Sequence, residues 1–448
     1  MDTRHARRQA GQVLPLATVL LLAVAATLFF MFNSGQLVQE KLRLTNTTDA
    51  VAYSAGVFEA RMLNYDAYAN RAIIANQIAV GQAVGLASWT KYMGTAADNI
   101  GPYLYLIPAV GPALKAAMDH VETVVDVLTP ALAATVTLHD EAMHTLALSQ
   151  QVMHGPANTV AIASRLALMQ RVAADNDPHA RVDPIPIADD FAGFTTHQTT
   201  RDQRRTMGQL VNDSRESFLA SRNWRFGLVV LCIGIELRKR GGTELIDLAD
   251  GWKSMDTLSA HHHRIRRFRC RRSENPLGYG SGASADNLGD GSYTYAGSRT
   301  TNPRASAHAE SSEGFARGFD PAPPTLGSSA IPGFMALSDR ALEMDEPLTS
   351  LSIRVTKPAA QQQFSGGASV VQPGGRLQLY DGALASQETA AVARVEVFFE
   401  RPDRGNGRHP GKTELGSLFN PYWQARLAPV TAAQRAAAQA RQGGLLLP

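Results

Sequence analysis

His139-Asp140-Glu141-Ala142-Met143-His144 brings four metal-ligating side chains into six positions. A helical zinc site of the two-histidine type needs its histidines four residues apart, so that both imidazoles leave one face. Here they are five apart, about 140° around a helix axis. Glu141 and His144 form one Glu-x-x-His pair, whereas a di-iron bundle takes two such pairs and two further carboxylates. The group reads as a polar helix face, and no cofactor is expected. Asp286-Asn287-Leu288-Gly289-Asp290-Gly291 echoes a calcium loop, but Leu288 stands at a ligand position and the distal bidentate Glu is missing. No phosphate loop, nucleophile elbow or dinucleotide fingerprint occurs, so no residue takes a catalytic role.

A cationic stretch is the stronger chemical signal. Arg264, Arg266, Arg267, Arg269, Arg271 and Arg272 follow His261-His262-His263. They could bind anions such as lipid headgroups, a cell-wall polymer or an acidic partner. The plainer reading is a solvated edge strand whose charges deter aggregation. Adjacent histidines on a strand point in alternate directions and make a poor metal site. Cys232 and Cys270 are the two cysteines. An oxidising compartment would permit a disulfide between them, although two cysteines in a sheet are also often just buried.

The elements that hold these residues fall into two halves. Charge is sparse through residue 175 and denser after it, while the formal net charge of +3 implies no nucleic-acid partner. Residues 13–32 are uncharged and apolar, and 20 residues of helix span roughly 30 Å, one bilayer core. A cleaved secretory signal carries a shorter apolar stretch of about 7–15 residues, so an uncleaved anchor is expected. Arg4, Arg7 and Arg8 precede the run, favouring a cytoplasmic N-terminus and an exported remainder. After Gly35 no proline occurs until Pro102, and Leu37, Leu44, Val51, Ala55, Phe58 and Met62 recur at helical spacing. Further helix is expected over 115–174, broken at Pro130 and Pro156.

From Pro178, Pro184 and Pro186, read as a linker, the pattern turns to strands. They are expected at 226–236, 264–271, 351–355, 368–371, 375–380 and 392–399, the last with period-two alternation. The segment 278–332, rich in Gly, Ser, Ala and Pro, reads as a long loop. The expected fold class is α+β: a single N-terminal transmembrane helix continuing into a helical region, then a β-rich periplasmic domain. The divisions are 1–12 cytoplasmic, 13–32 transmembrane, 33–175 helical stalk or bundle, and 176–277 strand-containing. They continue as 278–332 loop, 333–430 β-rich and 431–448 tail.

Gly11, the apolar run, and then Asn33-Ser34-Gly35 through Lys41-Leu42-Arg43-Leu44-Thr45-Asn46-Thr47-Thr48-Asp49-Ala50-Val51-Ala52 resemble the N-terminal module of TadE/TadG-like proteins. Those proteins belong to the Tad apparatus, which builds Flp-type pili. Members typically show a Gly before the span, an acidic residue and Gly at its exit, and a basic run ending in a Leu-x-Asn-x-x-Asp-Ala-Ala-like signature. Gly35, Leu44, Asn46, Asp49, Ala50 and Ala52 match, and Asn33 stands where the acidic residue is usual. The clear match covers about 45 residues, and 418–427 also resembles the long members of the group. Some members are similar to pseudopilins cut after a Gly at the cytoplasmic edge of the span. Gly11 is the one candidate for such processing, but the fifth residue beyond it is Leu16 where prepilins carry Glu, so retention of the N-terminus is expected. Other members carry a von Willebrand-type metal site, to which Asp290-Gly291-Ser292-Tyr293-Thr294 is the nearest approach, with Thr in the last place.

The resemblance implies a non-enzymatic structural component of a Tad/Flp-type pilus assembly system in the bacterial inner membrane. Its partners would be the lipid bilayer and other pilus-assembly membrane proteins or minor pilins, with no nucleic acid and no small-molecule substrate. Two other readings stay open: a membrane-tethered envelope enzyme without a recognisable motif, and an anionic-surface-binding or sensory module.

Overall fold

The computed structural model describes residues 13–104, 111–285, 292–311, 330–358, 361, 388–401 and 414–441. Its spine is α1 (Val13–Leu104), 92 residues and therefore roughly 140 Å long. α2 (Gly111–His154) folds back along it, and α3 (Thr159–Asn176) follows. α2 passes through Pro130 without a break; the chain leaves the helix at Gly155, whose φ of 65° suits glycine. The break expected at Pro130 is thus absent, and the Gly155-Pro156 pair supplies the one that forms.

The strands are β1 (Arg181–Val182), β2 (Ala188–Asp189), β3 (Thr195–Gln198), β4 (Trp224–Val230), β5 (Ile233–Leu245) and β6 (Trp252–Arg266). They continue with β7 (Arg269–Ala283), β8 (Phe334–Leu337), β9 (Leu348–Pro358), β10 (Glu388–Phe399) and β11 (Trp423–Ala428). They form a sheet in the order β1-β9-β10-β11 with β2 also on β9, a β3-β8 pair, and a sheet β4-β5-β6-β7. Every pairing is antiparallel. The molecule is thus mixed helix and sheet with a long apolar N-terminal helix.

α1 changes character along its length. Its first turns expose every large apolar residue, from Val13 to Phe32. From Leu44 onward it is amphipathic, because Leu44, Val51, Ala52 and Ala55 share one face and bury against Leu351, Ile353 and Val395 of β9 and β10. Farther along, Ile73, Val80 and Val84 pack with Met143 of α2 and Trp252 of β6. Tyr92 and Ala96 then meet Leu258. β10 carries the alternation expected from its sequence: Ala393, Val395 and Val397 are buried.

Several expectations are corrected. The apolar run 226–236 is a hairpin, not one strand: β4 and β5 join at Leu231-Cys232, with φ of 45° and 68°. The arginine stretch is likewise a hairpin, since β6 and β7 join at Arg267-Phe268, with φ of 50° and 57°. Both turns lie in the left-handed region typical of two-residue hairpin turns, but without the Asn or Gly that announces such a turn in sequence. The segment of Pro178, Pro184 and Pro186 contributes β1 and β2 to the β9 sheet, so it is built into the fold and is no linker. The supposed loop 278–332 begins with β7, which runs to Ala283, and includes the helix Pro303–Ala309, which buries Ala305, Ser306 and Ala309. Gly11, Asp286 to Gly291, and the strands expected at 368–371 and 375–380 lie outside the described residues.

Candidate functional site

Three sets of polar side chains among the described residues bear most directly on function. The first is a buried stripe on α1. Glu59, Asp66, Asn70, Gln77 and Ser88 are spaced by 7, 4, 7 and 11 residues, which keeps them on one helix face, and each is 0–1% exposed. Buried polar groups need partners, and these reach out to α3, α2, the β8 region and β6 in turn. Glu59 pairs with Arg165 of α3, which also holds Asp189 of β2. Asp66 takes a hydrogen bond from His154 Nε2 at 2.7 Å. Asn70 Nδ2 donates to the carbonyls of Met335 and Leu418 at 2.8 and 2.7 Å. Gln77 accepts from the Trp252 indole at 3.1 Å, and Ser88 donates to Asp256 at 2.8 Å.

Asp256 is the most heavily compensated group. Arg222 grips both of its oxygens, at 2.9 and 2.8 Å, and Lys239 Nζ lies 2.5 Å from Oδ1. Burial pushes this carboxyl up, but the two cations outweigh it and hold it below the usual aspartate range. Lys239 is lowered as well, because burial disfavours its charge more than Asp256 restores it. The stripe is closed to solvent, and its residues bond to α2, α3 and the strands packed over them. Such an arrangement cross-links helix to sheets and fixes their register, a role buried polar pairs serve elsewhere.

The second set lies at the base, just beyond the apolar run. Lys357 of β9 reaches Glu40 of α1 at 2.8 Å and Asp177, just after α3, at 2.9 Å, with only 4% of its side chain exposed. Burial opposes the lysine charge, but the two carboxylates win and raise its pKa. Asp177 is lowered despite burial, by Lys357, the His179 backbone N–H and Arg43. The signature residues surround this junction. Leu44 and Ala52 are buried in the β9–β10 core, Asp49 is half-buried, and Asn46 lines a shallow cleft with Glu40 and Arg43. Nothing lies within 4 Å of a side chain placed at Gly35.

The third set is the far end of the β4–β7 sheet. Arg264, Arg266, Arg267, Arg269, Arg271 and Arg272 are all exposed there. Cys232 and Cys270 are disulfide-bonded, their Cα atoms 5.7 Å apart, joining one hairpin end to the other. The three adjacent histidines separate: His261 is buried on Asn302 at 2.9 Å, His262 is exposed, and His263 faces Glu236. His144 bonds back to the carbonyl of Asp140, and no group of three metal-ligating residues occurs among the described residues.

Reading the sequence for apolar periodicity passes over the α1 stripe, although its spacing is visible in the same residues. Apolar Leu231 and Phe268 at the hairpin ends are also missed, because no turn is expected there. Comparison with protein-family models, with curated proteins and with solved structures found no match for this chain.

Proposed function

We propose that this chain is a non-enzymatic structural component of a Tad/Flp-type pilus assembly system, anchored in the bacterial inner membrane with its N-terminus in the cytoplasm. Its sheets would stand in the periplasm and present a surface to pilus-base proteins or minor pilins. The system comes from the resemblance of the signature at residues 33–52. One structural observation supports the anchored arrangement. α1 runs without interruption from an exposed apolar segment, long and hydrophobic enough to cross a bilayer, into a face on which Leu44 and Ala52 of the signature bury beneath β9 and β10. A span joined rigidly to its folded part transmits position and force, which suits an assembly scaffold better than a flexible tether would.

The test is deletion of the gene in its host, with pilin sheared from the cell surface and pilin retained inside both quantified. Loss of surface pilin, restored by the wild-type copy, with internal pilin still made, is the expected result. Unchanged fibres under conditions where the gene is expressed would remove the reading.

A further inference from the structure

The β4–β7 sheet runs beside α1 and in step with it. The Trp252 ring lies against Gly81, Asp256 meets Ser88, and Leu258 packs with Tyr92 and Ala96. β6 therefore points the same way as α1, and its turn lies roughly 30 Å past Leu258, at the opposite end of the molecule from residues 13–32. Two side chains cap this end: Leu231 is 87% exposed and Phe268 fully so. Both sit at positive φ, a conformation bulky residues seldom take and in which Asn or Gly is favoured. Turn chemistry alone thus does not account for a leucine and a phenylalanine at these tips.

The surface behind the tips is just as unusual. Val230 pairs with Ile233 and Leu228 with Ile235, so all four share one face, and all are exposed. Arg264, Arg266, Arg269 and Arg271 continue that face across β6 and β7. Every charged residue in 264–273 is an arginine, and Arg225 is the one charged residue in 224–235. The Cys232–Cys270 bond holds the two apolar ends side by side.

We propose that this disulfide-joined hairpin pair docks on an anionic lipid bilayer, inserting Leu231 and Phe268 while the arginines hold headgroups. Apolar residues flanked by cations are the chemistry of interfacial membrane binding. The charge pattern selects this occupant. A second copy would bring arginine against arginine, and the apolar groups stand on convex turns suited to a deformable lipid surface. Because the tips face away from the apolar start of α1, the bilayer they meet is a second one.

Full-length protein reconstituted in phosphatidylcholine vesicles is mixed with fluorescent vesicles of phosphatidylcholine alone or with about 30% phosphatidylglycerol, and capture is measured by flotation. Capture of the anionic vesicles alone, falling at least roughly fivefold in 0.5 M NaCl, is expected. The Leu231→Ser/Phe268→Ser variant alters only exposed side chains and should cut capture about tenfold. Arg266→Gln/Arg267→Gln/Arg269→Gln should weaken capture and flatten its salt dependence. Absent capture, equal capture of neutral vesicles, or variants matching wild type would overturn the proposal. A detergent-solubilised dimer dissolved by the same substitutions would overturn it in favour of self-association.

Discussion

His154 Nε2 lies 2.7 Å from Asp66 Oδ2, and its Nδ1 lies 2.8 Å from Asn158 Oδ1. The Asn158 amide nitrogen is committed to the carbonyls of Phe191 and Ala192, so its oxygen must face the ring. Nδ1 therefore donates, and with Asp66 ionised Nε2 donates as well, which makes His154 a cation. Burial alone would push its pKa down, but the Asp66 carboxylate and the Asn158 oxygen outweigh burial and raise it above 6.5. A raised histidine contributes stability that is present below its unfolded pKa and lost as pH rises through the folded one. His154→Gln should cost about 3–5 kcal/mol at pH 6, since it strands a buried carboxylate. Urea melts from pH 6 to 9 should show wild-type stability falling more steeply than that of the variant, which keeps only the slope of the other titrating groups; parallel curves would refute the cationic assignment.

Glu59 gives a second pH dependence, lower on the scale. Burial raises its carboxyl to about 7, and Arg165 recovers only part of the shift because Asp189 and Asp190 also act on the site. The unfolded chain gives up this proton near 4.5 and the folded one near 7, so stability falls as pH rises across that interval. The whole effect is on the order of 3 kcal/mol. Glu59→Gln removes the titration and leaves Arg165 its contact with Asp189. The slope of the urea midpoint between pH 5 and 7 should shrink in that variant, and an unaltered slope would place the proton elsewhere.

How far the sequence could be read follows from these same residues. The apolar run at 13–32, the amphipathic continuation of α1 and the alternation in β10 were legible, because each is a local period that burial enforces. The two hairpins were not. A reversal at Leu231-Cys232 or Arg267-Phe268 carries no turn residue, so an eleven-residue apolar run reads as one strand. The α1 stripe was legible in spacing but not in meaning: Glu59 and Asp66 seven apart could as well mark a solvated face, and only the sheets and α2 closing over them decide it. Arg165, His154 and Asp256 pair across separations of 88 to 168 residues, which no local pattern encodes.

At Gly280 the backbones of sheet and helix come close together. A Cβ there would stand 2.4 Å from both the Ser88 carbonyl oxygen and the Tyr92 nitrogen, backbone atoms that can yield only if β7 lifts from α1. Gly280→Ala should destabilise the fold by about 1–3 kcal/mol. Gly35→Ala is the contrast. Its added methyl meets nothing, and replacing a mid-helix glycine should gain up to about 1 kcal/mol of helix stability. Thermal denaturation of the two variants should therefore shift in opposite directions. If Gly280→Ala melts like wild type, the sheet does not rest on α1 through this strand.

The Cys232–Cys270 bond ties turns that lie beyond the packed part of the sheet. Ladder pairing between β5 and β6 ends at Gly234 and His263, and the flanking side chains are exposed, so packing contributes little order there. The bond should therefore act locally. In Cys232→Ser/Cys270→Ser, amide exchange should quicken across 229–235 and 263–270, while the Trp252 and Asp256 region keeps its protection. The melting temperature should move by no more than a few degrees, because the cores on α1 do not contain either cysteine. A collapse of protection around Asp256 would instead mean that the two hairpins depend on the bond for their pairing along the whole sheet.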